Sequence, residues 1–161
     1  MPATLITPVT RFWPTATTTY SFCPAIANKA APTRGELNAG TNLSGDIAEV
    51  SGFTVSSDLI DVPDLGNRFV SKIPGKIQAA DSSIKMYADA TGVDVRTLLP
   101  RDTAGFIVRF DGGDVAGRKC DIFPIKVSAL SKDMGTGGDG ATIEISLAVT
   151  STPAENVTVP A

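Results

Sequence analysis

From residue 104 onward, hydrophobic and polar positions alternate with period two. Phe106, Val108 and Phe110 fall on one side of an extended chain, Ile107 and Arg109 on the other. Phe123, Ile125, Val127 and Ala129 share a side opposite Ile122, Lys126 and Ser128. Ile143, Ile145, Leu147 and Val149 point away from Thr142, Glu144, Ser146 and Thr150. That period predicts half-buried antiparallel strands. Asp111-Gly112-Gly113-Asp114 reads as a turn, and Met134 to Gly140 as a glycine-rich connection.

Upstream the pattern is less regular. Ile47 to Val55 is rich in β formers, with Gly52 placed for a bulge. Ser56 to Asn67 carries Pro63, Gly66 and three aspartates, and predicts a long loop. Loops of that length inside a compact domain are often functional. Arg68 to Ile73 reads as a strand closed by Pro74-Gly75. Lys76 to Ala88 continues as β, with Ile84, Met86 and Ala88 opposite Lys85 and Tyr87. Thr33-Arg34-Gly35-Glu36 fits a capping box, with Gly40 as the stop of a short helix. Thr91-Gly92-Val93-Asp94 predicts a second helix over Val95, Leu98 and Leu99, ended by Pro100. Residues 1–25, punctuated by Pro2, Pro8, Pro14 and Pro24, read as an extended arm, and 151–161, with Pro153 and Pro160, as a tail. The expected architecture is mainly β: an antiparallel sandwich or barrel over residues 26–150 with one or two short helices.

Composition narrows the chemistry. The 161 residues contain no histidine. That removes Ser-His and Cys-His nucleophile pairs and imidazole metal sites, and no G-x-S-x-G elbow is present. The formal charge of −3 arises from 14 basic and 17 acidic residues, with no basic run. A phosphate binder carries the opposite balance. Cys23 and Cys120 lack metal spacing and read as two free thiols or a single disulfide. No basic leader and no apolar run of membrane-spanning length stands in the sequence, so folding in a cytoplasm is expected, away from any membrane.

Three motifs fall short of a chemical site. Gly75-Lys76 lacks the rest of a P-loop. Gly137-Gly138-Asp139-Gly140 lacks a calcium loop's further ligands. Asp58, Asp61 and Asp64 stand three apart, but Pro63 breaks any helical face, so a solvated loop is expected. Phe12 and Trp13 sit in a proline-rich arm, which leaves two readings open: docking on a neighbouring subunit, or packing back on their own domain. No cofactor or metal is expected.

The run Ile26-Ala27-Asn28, Ala31-Pro32-Thr33-Arg34, Glu36-Leu37-Asn38-Ala39-Gly40-Thr41 and Leu43 resembles the major tail tube proteins of long-tailed (siphovirus-type) phages of actinobacteria. The resemblance continues through Val50-Ser51-Gly52-Phe53, Asp61-Val62-Pro63-Asp64-Leu65-Gly66, Ile73-Pro74-Gly75, Asp102-Thr103-Ala104-Gly105-Phe106 and Lys126-Val127-Ser128. It covers roughly residues 20–150. Gly35 departs from the better helix former that the look-alikes often carry at that position.

The resemblance implies a tail-tube-like β-sandwich assembled into hexameric rings. These stack in the virion tail, around a tape-measure protein and between terminator and baseplate or distal tail proteins, as a conduit for DNA ejection. It assigns Ser57, Asp58, Leu59, Ile60, Asp61, Val62, Asp64 and Leu65 to an inter-ring loop. Phe12, Trp13, Tyr20 and Phe22 become arm contacts. A bore that lets DNA pass without sticking should be acidic, and Glu49, Asp81 and Glu144 are the candidates from polar strand faces. Other readings are a tail terminator or head–tail joining protein, the inner tube of a contractile injection system, a secreted carbohydrate-binding sandwich, and a small enzyme.

Overall fold

The structure, a computed structural model, describes residues 6–135 and 140–161. Of the glycine turn Gly137 to Gly140, Gly137, Gly138 and Asp139 lie outside the described residues. The elements run β1 (Thr19–Cys23), α1 (Arg34–Asn38), β2 (Thr41–Asn42), β3 (Ile47–Ser51), β4 (Val55–Val62), β5 (Ser71–Ala79), β6 (Ser82–Tyr87), α2 (Val95–Leu98), β7 (Ala104–Phe110), β8 (Lys119–Asp133), β9 (Thr142–Val149) and β10 (Ala154–Thr158).

One eight-stranded antiparallel sheet has the order β2-β1-β7-β8-β9-β6-β3, with β10 added beside β8. β4 and β5 form a separate two-stranded sheet. The large sheet cannot be flat. Its end strands β2 and β3 lie six spacings apart along the sheet, about 29 Å at the usual strand separation. Yet Asn42 and Ile47 are five residues apart in sequence, a reach of at most about 18 Å. The sheet therefore curls into an open barrel whose edges meet at the 43–46 turn.

The period-two pattern fills that barrel. Ile107, Phe123, Ile125, Val127, Ile143, Ile145, Ile84 and Met86 point inward, and Phe22, Leu43, Phe53 and Leu99 join them. The alternate residues of β7 and β8, Val108, Phe110, Cys120 and Ile122, form a second cluster on the outer face under α1 and β10, with Leu37, Val157 and Val159. Cys23 and Cys120 are both buried in this cluster and both free. Burial pushes each thiol up to about 11.

Local signals explain the helices. Thr33 accepts from the Glu36 N–H, and Glu36 accepts in return from the Thr33 N–H, a complete capping box. The second cap is Asp94 rather than Thr91. The Asp94 carboxylate accepts from the Arg96 N–H and pairs with its guanidinium, which holds the carboxyl below its ordinary value. The Thr91 side chain is instead tied to Asp89.

Both chain ends depart from the arm-and-tail expectation. β1 pairs with β7 along its length, and Tyr20 and Phe22 belong to that strand. β10 pairs with β8 and buries Val157. Pro24 and Pro153 lie just outside these strands, so proline bounds them rather than preventing pairing. Among the described residues before β1, 6–18 run outside the sheet.

Candidate functional site

The predicted loop from Ser56 to Asn67 is in fact mostly strand. Ser57 to Val62 lie in β4 and pair with β5 in an antiparallel hairpin, and only residues 63–70 form the connection. Pro74-Gly75 does not end β5. A register shift between Ser57 and Leu59 takes up the irregularity there, so the strand runs on to Ala79. Thus Asp58 and Asp61 sit on a ribbon and Asp64 at its tip. Asp61 meets Lys72 across the strands at 2.6 Å, in solvent, where such a pair contributes little. Among the described residues, no cluster of acidic or sulfur side chains could hold a metal.

The register places Val55, Ser57, Leu59 and Asp61 on one face with Lys72, Pro74, Ile77 and Ala79. Ser56, Ile60 and Val62 share the other with Ser71, Ile73 and Gln78. Aliphatic side chains therefore stand on both faces, and nearly all are exposed: Leu59 is 63% and Ile77 67% accessible. The hairpin packs on itself. Its root, at Val55 and Ile77 to Ala79, faces the end of β9 and the connection between β9 and β10. An isolated two-stranded ribbon is marginal in water, so these apolar faces have no partner within the described chain.

Magnitudes sharpen the point. Leu59, Ile60, Val62, Leu65, Phe69, Val70, Ile73 and Ile77 are all large and exposed. Most are already partly covered, so completing their burial would contribute about 7–15 kcal/mol. Association costs about 4–15 kcal/mol in lost motion. Burying the hairpin would therefore offset most of the cost of an association. Charge does not oppose this, because Asp58, Asp61 and Asp64 are matched by Arg68, Lys72 and Lys76.

The root is built to hold the hairpin in a fixed direction. Gly52 and Phe53 both adopt left-handed backbone, with φ of 81° and 53°. A side chain at Gly52 would meet the Asp81 carbonyl oxygen at 2.3 Å. For Phe53 the conformation costs about 1–2 kcal/mol. That cost is offset by seating the ring in the barrel mouth, edge-on to Phe123 at 5.2 Å and beside Tyr20 at 6.2 Å. Buried Ser82 completes the clip. Its hydroxyl accepts from the Phe53 N–H at 2.9 Å and donates to the Ala80 carbonyl at 3.1 Å.

The other candidates fall in three places. Phe12 and Trp13 are exposed on the segment before β1. Tyr20 and Phe22 are not on that segment: Phe22 is in the core and Tyr20 packs against it, with burial pushing the Tyr20 hydroxyl up from its ordinary value. Glu49 and Glu144 share an outer polar row of the barrel with Lys85 between them, flanked by Ser51 and Ser83. Asp81 is exposed in the turn between β5 and β6, off that row. Sequence reasoning missed the second half of the hairpin, Phe69, Val70, Ile73 and Ile77. The signal was the apolar spacing on both sides of the Asp64–Asn67 turn, masked by the prolines.

The site is thus a β-rich barrel carrying a hairpin whose aliphatic side chains are exposed on both faces. The sequence profile described as phage tail tube protein matches residues 7–161. The chain belongs to the phage tail tube protein family. No curated protein matches it. Among solved structures, a cryo-EM chain of the sheath/tube terminator of an extracellular contractile injection system, in its extended state, is similar at TM-score 0.62 and 16% identity. The match covers 87% of this chain and 94% of that one. A chain of the six-fold symmetrised baseplate of the anti-feeding prophage is similar at TM-score 0.54 and 10% identity, over 91% and 95% of the two chains. At those identities the likeness is one of fold. Membership of the tail tube family makes this a structural component of a phage tail.

Proposed function

We propose that the chain is the repeating subunit of a tail tube, assembling through its hairpin into hexameric rings that stack into a hollow conduit for DNA. The observation that carries this reading is the β4–β5 hairpin, with exposed aliphatic side chains on both faces and no covering partner among the described residues. Two apolar faces call for two neighbours: one copy in the same ring, another in the adjoining ring. Ser57 to Leu65 provide the inter-ring contact together with the β5 residues opposite them. The outer strand edges can extend pairing between copies through main-chain bonds.

The resemblance over residues 26–43 supports the tail of a long-tailed phage of actinobacteria, built in the host cytoplasm. Its partners are further copies, a tape-measure protein, a terminator and baseplate or distal tail proteins. The row Glu49, Lys85, Glu144, with Asp81 nearby, supports a mildly acidic bore past which DNA slides unbound. The subunit's work is association, with no cofactor and no bond-making step.

Negative-stain imaging of the purified chain tests this. Rings or tubes with a central hole are expected, and lone monomers at high concentration would overturn it. A second reading, a terminator that caps a tube, is favoured by the similarity to the injection-system terminator. It predicts single rings that do not lengthen as concentration rises.

A further inference from the structure

We infer that the N-terminal segment of one copy docks in a specific cleft of a second copy: Arg11, Phe12 and Trp13 enter the space between α2 and the 43–46 turn. The inference rests on the self-assembling reading above and adds to it a receptor site distinct from the hairpin.

The cleft has a volume of about 280 Å³. Its walls mix polar groups with apolar side chains, chiefly Val93 and Leu98 with the largely buried Leu43 and Met86 behind them, and Asp46 and Asp89 stand at it exposed. Asp94 also lines it, but its charge is matched by Arg96. No lysine or arginine lines it. Among the described residues Asp46 has no ion-pair partner. Such a site selects an apolar group beside a cation.

The segment before β1 supplies that combination. Over residues 6–18 Arg11 is the sole charge, and it stands next to Phe12 and Trp13. Trp13 is 76% exposed, and the segment's aromatic pair does not line the cleft of its own chain. The Pro14 carbonyl accepts from the Thr17 and Thr18 N–H groups, and Ala16 takes a left-handed φ of 66°. This tight turn sets the direction in which residues 6–13 leave the barrel. Pro8 and Pro14 restrict the segment to extended conformations, which lowers the entropy lost on docking. An indole and a guanidinium are the side chains most often found as anchors at interfaces.

Trp13 is the chain's single tryptophan, so its fluorescence reports the site directly. The full chain is followed by emission and by sedimentation across a concentration series. Alongside it run Arg11→Glu, the pair Asp46→Lys with Asp89→Lys, and the three changes combined. The wild-type emission should shift to the blue as copies associate. Either charge reversal should raise the midpoint of that shift roughly tenfold or more, and the combined variant should recover much of the loss. Assembly with Trp13 still exposed, or with no response to either reversal, overturns the docking while leaving the hairpin reading intact. A blue emission at every dilution overturns the second-copy occupant in favour of the chain's own segment. A chain that never associates overturns both.

Discussion

The barrel and the hairpin are made of the same residue types and obey different rules. In the barrel the long strands have an inward row that the chain itself covers: Ile84, Ile107, Ile143 and Ile145 are fully buried. In the hairpin Ile60, Ile73 and Ile77 are chemically the same and stand in solvent. A strand that alternates one buried and one polar face is explained by its own fold. A ribbon with aliphatic residues on both faces is explained only by what covers it. On the proposed function, the hairpin is the part of the sequence written for association.

Breaking the comparison outright requires removing one side. Replacing residues 56–78 by a short Gly/Ser turn should abolish ring or tube formation and leave a folded barrel, seen as a cooperative thermal transition within a few degrees of the parent. Assembly at normal length by that variant would refute the hairpin's role. Breaking the other side should do the reverse. Phe123→Ala removes a ring buried against Phe53 and should cost about 3–5 kcal/mol in denaturant unfolding.

The junction between the two regions is worth less. Ser82→Ala leaves the buried Phe53 N–H without its acceptor and should cost about 1–3 kcal/mol. Within the hairpin, Ile60→Ser should leave monomer stability within about 0.5 kcal/mol, since the side chain is exposed. It should weaken association about tenfold, read as a shift in critical concentration.

The smallest effect belongs to the barrel's outer cluster. With thiols raised from an ordinary value of 9.0 to about 11, the folded state holds its protons longer than the unfolded chain. Their contribution is full below about pH 9 and is lost as pH rises toward 11. Disulfide-reagent titration of the native chain at pH 8 should therefore find Cys23 and Cys120 unreactive, and denaturant should expose both.

Much of the barrel was legible because a covered face imposes period two. Ile143 to Val149 could be read directly, and so could the Thr33–Glu36 capping box. The hairpin was not, for a physical reason. Its aliphatic residues stand on both faces, so the alternation that marks a half-buried strand is missing. Pro63, Pro74 and three aspartates then imitate a loop. β1 and β10 were read as arms because proline flanks them, although it stands outside their hydrogen-bonded positions. The cleft beside α2 was invisible in sequence, since Leu43, Asp46, Met86 and Leu98 come together only when the sheet edges meet.

Hydrogen exchange of the hairpin amides, compared between dilute monomer and assembled protein, tests the central claim most directly. Amides of Val55–Val62 and Ser71–Ala79 should exchange quickly in the monomer and become strongly protected on assembly, while those of β8 and β9 stay protected in both. Hairpin amides equally protected in the monomer, or still fast in the assembly, would contradict the account.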